Sequence, residues 1–308
     1  MPVPPTSGRL QWNAVPPPLR ARLEDVLGAP VTDTVTPGGG FGHQLAATLR
    51  LDGGRRVFIK AAPDDDPLTP ANLHEAAVLG ALPPGAPAPD LLGIHHSGGW
   101  TAVVIAHLDG PHPDLSPRSG DAEQTFALLD KLTSSPAPAP YIAAVRTAPS
   151  PMGALHGWNE LLCAPPADLD PAARARLPQL AELEAAWPAL AHGDHIVHGD
   201  LRADNMVHDR RLGVTFVDWA HATTGPACTD AASLAPQLVL AGHQPADVAR
   251  LLREHPATAE NPGTTTAFLA ALTGHWHRNA RRPAPPGAPG LRAYQHRAAA
   301  AGLALLSY

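Results

Sequence analysis

His198-Gly199-Asp200-Leu201-Arg202-Ala203-Asp204-Asn205, followed by Val217-Asp218-Trp219, sets two carboxylates and a carboxamide at intervals of five and thirteen residues (200 to 205, then 205 to 218). Metal-assisted phosphoryl transfer needs such a set: one acid to accept a hydroxyl proton, and an amide with a second acid to hold magnesium on a nucleotide. Ile196–His198 reads as a strand end and 199–204 as a loop. Asn205–His208 and Gly213–Asp218 read as a small hairpin turning at Asp209-Arg210-Arg211. Loop, strand, turn and strand return Asp218 close to Asn205 and leave Asp200 beside them. Magnesium takes hard oxygen donors, usually one or two from protein, which Asn205 and Asp218 fit. Asp200 fits the general base or hydroxyl-orienting group, a role that contributes roughly 10²–10⁴-fold in comparable sites. Arg202 is permanently charged and is placed to reach the transferring phosphoryl oxygens.

Working outward, the segment before residue 107 reads as a small sheet. A helix over Leu19–Leu27 precedes three strand-like runs, Val31–Thr36, Gln44–Leu51 and Arg55–Ala61. Asp52-Gly53-Gly54 joins the last two as a hairpin. A helix over Ala71–Leu82 ends at Pro83-Pro84-Gly85, and Leu91–His95 and Thr101–Ala106 form a further strand pair. The result is an antiparallel sheet with one helix inserted after its third strand. Val57-Phe58-Ile59-Lys60 puts a lysine at the end of an apolar strand, suited to neutralising nucleotide phosphate charge. Glu75, the only acid in Ala71–Leu82, would orient it. In the run 38–42, Gly39, Gly40 and Gly42 would let backbone N–H groups approach phosphate.

After His107 the pattern turns helical, at Asp121–Thr133, Pro171–Ala191, Asp230–Ala241, Ala246–Leu252, Thr264–Asn279 and Leu291–Leu306. The Pro-rich pieces Pro136–Pro140 and Pro283–Pro289 read as linkers between helices. A net charge of −6 and a pI of about 6.3 argue against nucleic acid as a partner. Two distant cysteines, Cys163 and Cys228, fit a reducing compartment. With no signal-peptide pattern and no apolar run long enough to cross a bilayer, the expectation is a soluble cytoplasmic protein that engages no membrane, as a monomer or homodimer.

The stretch 198–205, Val217-Asp218-Trp219 and Gly225-Pro226-Ala227-Cys228-Thr229-Asp230 together resemble the aminoglycoside phosphotransferase family. That family shares the protein-kinase-like fold with choline and homoserine kinases. There HGDxxxxN is the catalytic loop, an Asp-aromatic pair replaces the protein-kinase DFG, and GPxxxD follows. The resemblance implies an α+β, bilobal protein-kinase-like fold: a small antiparallel β-sheet lobe (1–106) for the nucleotide, and a mainly helical lobe (107–308) with the catalytic loop and acceptor helices. It implies ATP, with GTP not excluded, together with Mg²⁺ and transfer of the γ-phosphate to a hydroxyl of a small-molecule acceptor. An antibiotic or related secondary metabolite is the first expectation, and an amino alcohol, amino acid or sugar the second. The glycine run departs from G-x-G-x-x-G, and no acceptor-binding residue carries over by motif.

Plainer roles compete at several positions. Arg202 can be a loop arginine tied to Asp204, Asp230 a structural acid bonding backbone near the catalytic loop, and Trp219 a packing residue. His192, Asp194, His195, His198 and Asp200 crowd together as zinc-hydrolase ligands do, but no later cluster completes such a site. His275-Trp276-His277 reads as a helix end, or as a wall of the acceptor pocket. A non-catalytic nucleotide-binding regulator on the same fold is the rival from another class, and it has no need of Asp200, Asn205 and Asp218 together.

Overall fold

Two-residue periodicity sorts the strands of the N-terminal sheet into two buried faces. The computed structural model describes residues 9–37, 43–145, 154–285 and 288–308. Helix α1 (Pro17–Leu27) is followed by β1 (Val31–Val35), β2 (Leu45–Leu51), β3 (Arg56–Pro63), α2 (Thr69–Ala81), β4 (Leu91–Ser97) and β5 (Trp100–Ala106). The strands form one antiparallel sheet with α2 after its third strand, as the sequence predicts, in the order β1-β2-β3-β5-β4. Val57, Ile59 and Ala61 of β3 and Ala102 and Val104 of β5 pack with Leu19 and Leu23 of α1. Val103 and Ile105, on the other face, pack with Ala76, Val78 and Leu79 of α2. Because β3 pairs Lys60 with Val103 and Phe58 with Ile105, Lys60 emerges on the α2 side.

The remainder is mostly helical: α3 (Asp121–Thr133), α4 (Ala139–Val145), α5 (Trp158–Cys163), α6 (Pro171–Ala175) and α7 (Leu177–Leu190). Then come β6 (His195–Val197), β7 (Met206–Asp209), β8 (Gly213–Phe216) and β9 (Thr223–Gly225). Helices α8 (Thr229–Leu240), α9 (Pro245–Glu254), α10 (Pro256–Ala259), α11 (Pro262–Asn279) and α12 (Leu291–Leu305) complete the chain. One apolar cluster runs from α2 and β5 through Phe126 and Leu129 of α3 and Tyr141 of α4 to Leu234 and Leu238 of α8. The sheet and the segment 196–219 therefore share a core.

Three details correct the sequence reading. The helix expected over Pro171–Ala191 breaks at Arg176, where φ is −113° and ψ is 7°. Pro178 explains the break: it lacks an N–H, and its ring would strike the carbonyl of Arg174 in a continuous helix. The Pro136–Pro140 piece is only partly a linker, because α4 starts at Ala139 with Pro140 in its first turn and buries Tyr141. Strand β9, which has no pattern of its own, exists through pairing with β6, His195 against Gly225 and Val197 against Thr223. Among the described residues no helix is long and apolar enough to cross a membrane.

Candidate active site

The β6–β9 pair delivers the chain to residue 198, and four anchors hold the loop that follows. His198 is fully buried and its ring lies 4.6 Å from that of Trp219. Its Nε2 donates to Val217 O at 3.0 Å, and its Nδ1 accepts the Asp200 N–H at 3.3 Å. Burial pushes the imidazole pKa down to about 4, so it stays neutral. Asp230 accepts the His198 N–H at 2.7 Å on Oδ2 and the Gly199 N–H at 3.0 Å on Oδ1. Burial raises Asp230 to about 6 against the pull of those two N–H donors. Gly199 has φ +80°, and a Cβ there would sit 2.5 Å from His221 O, so only glycine fits. The hydroxyl of Tyr141 donates to Thr223 O at 3.0 Å and ties β9 to α4.

Asn205 closes the loop onto its start. Its Nδ2 donates to Asp200 O at 2.7 Å and to Asp200 Oδ2 at 2.9 Å. Its own carbonyl accepts the Val217 N–H at 2.9 Å, which brings Asp218 alongside. Asp218 has φ 65° and ψ 56°, the one non-glycine positive φ among the described residues. Such a conformation costs about 1–3 kcal/mol and persists where the surroundings impose it. Lys60 holds the Asp218 side chain: Nζ lies 2.6 Å from Asp218 Oδ1 and 2.6 Å from Glu75 Oε2. Burial would lower the lysine pKa, but the two carboxylates outweigh burial and raise it. Burial likewise works to raise Asp218, and Lys60 reverses this, holding it down at about 2. Glu75 is pushed up by burial against the attraction of Lys60.

Two further bonds latch α2 to the segment after Asp218. The Trp219 N–H donates to Glu75 Oε1 at 3.2 Å, and His74 Nε2 donates to Ala222 O at 2.8 Å. The structure thus brings Lys60, Glu75, Asp200, Asn205 and Asp218 together across more than a hundred residues of sequence. Arg202 is tied to Asp204, with Nε 3.0 Å from Oδ1, and lies 3.6 Å from Asp200 Oδ1. Burial raises the Asp200 pKa, and Arg202 opposes it. Gly39, Gly40 and Gly42 lie outside the described residues. Trp219 is buried packing and Asp230 bonds backbone, as expected of them. Tyr294 of α12 has no sequence signal. Its ring lies 5.8 Å from the Arg202 guanidinium and 6.4 Å from Trp276, and its hydroxyl accepts from Gln237 at 2.8 Å.

A cavity of about 360 Å³ runs from Pro89, Ile105 and Leu108 at its apolar end to Lys60, Glu75, Asn205 and Asp218 at its charged end. The donor set suits magnesium. Asn205 commits Nδ2 to Asp200, which leaves its carboxamide oxygen outside those bonds, and Asp218 gives one oxygen to Lys60 and keeps a second. The histidine cluster is dispersed by comparison. His192, Asp194 and His195 line a separate cavity of about 350 Å³, while both ring nitrogens of His198 are engaged. Among the described residues no three or more His, Cys, Asp and Glu side chains gather as a metal cluster.

A sequence model described as the phosphotransferase enzyme family matches residues 42–263. Among curated proteins no match to the chain is found. Solved structures share the fold at low identity. A choline kinase from Streptococcus pneumoniae aligns with a TM-score of 0.62 at 13% identity, covering 94% of this chain and 98% of that one. An aminoglycoside 2'-phosphotransferase-IIIa solved with GDP aligns at 0.58 and 16% identity, covering 95% and 98%. A thermostable aminoglycoside phosphotransferase mutant solved with AMP-PNP and hygromycin B aligns at 0.53 and 15% identity, covering 94% and 96%. These likenesses establish the bilobal, protein-kinase-like α+β fold. The match across residues 42–263 takes in Lys60, Glu75 and the whole catalytic segment: the chain belongs to the phosphotransferase enzyme family and is a small-molecule kinase with an alcohol acceptor.

Proposed function

We propose that this chain transfers the γ-phosphate of ATP to a hydroxyl of an antibiotic or related secondary metabolite, in resistance or in self-protection during biosynthesis. The observation that carries the reading is Lys60 held at 2.6 Å by both Glu75 and Asp218 while Asn205 binds Asp200. Residues 1–106 form the nucleotide lobe, and 107–308 carry the catalytic loop and the acceptor helices. Pro89, Ile105 and Leu108 take the base, and Lys60 takes the α- and β-phosphates. Asn205 and Asp218 hold Mg²⁺, which supplies charge neutralisation on the phosphates. Asp200 accepts the acceptor's hydroxyl proton as its oxygen bonds to the γ-phosphorus and the bond to ADP breaks. Its raised pKa makes it a better proton acceptor than an ordinary aspartate. Arg202 offsets the burial of Asp200 and reaches the transferring phosphoryl oxygens. A cytoplasmic location, where ATP is supplied, goes with this reading.

Replacing the metal-holding acid tests this assignment. In a calorimetric titration, Asp218→Ala is expected to lose the Mg²⁺-dependent part of ATP binding. Unchanged Mg·ATP affinity in that variant would remove Asp218 from the site. The likeness to a choline kinase puts amino alcohols in the acceptor panel beside antibiotics, with amino acids and sugars as the remaining metabolic class.

A further inference from the structure

A nucleotide entering the cleft brings several negative charges, and the cleft's best-placed cation is already matched. Lys60 is paired with both Glu75 and Asp218. Asp204 adds a further acid to the lining. Among the described residues lining the cleft, Arg9 is the cation with no ion pair. It comes from the segment before α1, which no sequence motif singles out.

That segment is fixed in place by its neighbours. The Leu10 N–H donates to His43 O at 3.0 Å, and Arg9 Nη1 donates to Pro37 O at 3.4 Å. Residues 9 and 10 therefore hold the chain on both sides of 38–42. Leu10 and Trp12 pack against the α1 side of the sheet core. Arg9 lines the same cleft as Lys60 and Asp218, and its guanidinium lies within electrostatic reach of Asp218. Its Nε is buried and has no hydrogen-bond partner among the described residues. A buried, unpaired guanidinium N–H is unfavourable unless a ligand meets it, and arginine's planar fork suits phosphate oxygens. Burial lowers the Arg9 pKa and Asp218 pulls it back, while arginine stays charged at any ordinary pH.

We infer that Arg9 is a nucleotide-phosphate ligand: its guanidinium, in the lining of the cleft that also holds Lys60, binds phosphate oxygens of a nucleoside di- or triphosphate. The inference rests on the nucleotide-site reading above. It is tested by equilibrium titration of the full chain with ADP and ATP in the presence of Mg²⁺, and with adenosine, which has the base and no phosphate. Arg9→Gln is expected to weaken ADP and ATP binding roughly tenfold, the scale of one charge-assisted contact, and to leave adenosine binding unchanged. Arg9→Lys should recover part of the loss, since it keeps the charge and loses the fork. ADP affinity equal to wild type in Arg9→Gln overturns the inference. So does an equal loss for ADP and adenosine, which would mean the segment only props the cleft. Wild-type protein that binds neither ADP nor ATP overturns the nucleotide-site reading itself, an outcome distinct from both.

Discussion

His198 shows how the catalytic loop is held by a residue that does no chemistry. It sits between Trp219 and the start of the loop, with both ring nitrogens bonded to backbone. Protonation would break the Nδ1 bond and bury a charge. Its folded pKa of about 4 lies below the free value of 6.5, so the unfolded chain binds the proton more readily between those values. The sign follows: stability is fully present above pH 6.5 and falls as pH drops toward 4, by roughly 3 kcal/mol for a shift of this size. Denaturant unfolding at pH 7 and near pH 4.5 should show wild type losing clearly more stability than His198→Gln. Equal losses in the two proteins would contradict this account of the loop. Asp200 works under the opposite tension, since burial disfavours its charge and Arg202 at 3.6 Å supports it. The Arg202 guanidinium lies in turn 5.8 Å from the centre of the Tyr294 ring, which links Asp200 to α12.

At the scale of elements, α2 and α5 are each positioned by one buried glutamate. Glu75 joins α2 to both Lys60 and the Trp219 N–H. Glu184 of α7 accepts the Gly157, Trp158 and Asn159 N–H groups and the Asn159 side chain, at 2.7 to 3.0 Å. It therefore caps the N-terminus of α5 from another helix. Glu184→Ala leaves those donors buried without a partner, and a loss of about 3 kcal/mol in unfolding free energy is expected. A loss under about 1 kcal/mol would mean the cap is dispensable. Only part of this was legible in the sequence. The apolar run Val57-Phe58-Ile59 marked Lys60 as a strand-end lysine, and glycine and proline punctuation marked most strand and helix ends. The break before α7 was written in Pro178, but the periodic Leu177, Leu180, Leu183 and Trp187 carried the reading across it. Helix α4 hid behind prolines that also suit a first helical turn. Strand β9 is three residues long and owes its form to β6, which no local pattern reveals.

Across the whole molecule, the site is where the sheet core and the helical core meet. A single apolar cluster spans α2, β5, β8 and α8, and so joins the helix that carries Glu75 to the hairpin that ends at Asp218. The motif at 198–218 made the catalytic side of this junction legible, because its spacing serves one chemistry. The contacts around Tyr294 were not legible: its ring meets Trp276 and its hydroxyl meets Gln237 only after α8, α11 and α12 fold together, and no spacing relates them. The N-terminal segment escaped for the same reason, since Arg9 becomes a cleft residue only through its bonds to the residues flanking 38–42. The central claim is that Asp200 takes the acceptor proton in phosphoryl transfer from a nucleotide held by Lys60, Asn205 and Asp218. The most direct measurement incubates wild type and Asp200→Asn with Mg·ATP and a panel of hydroxyl compounds, and follows product mass alongside nucleotide affinity. Wild type should add one phosphate to an acceptor, and the variant should lose at least roughly 10²-fold in rate while binding Mg·ATP nearly as well. Phosphorylation by Asp200→Asn at the wild-type rate would contradict the account.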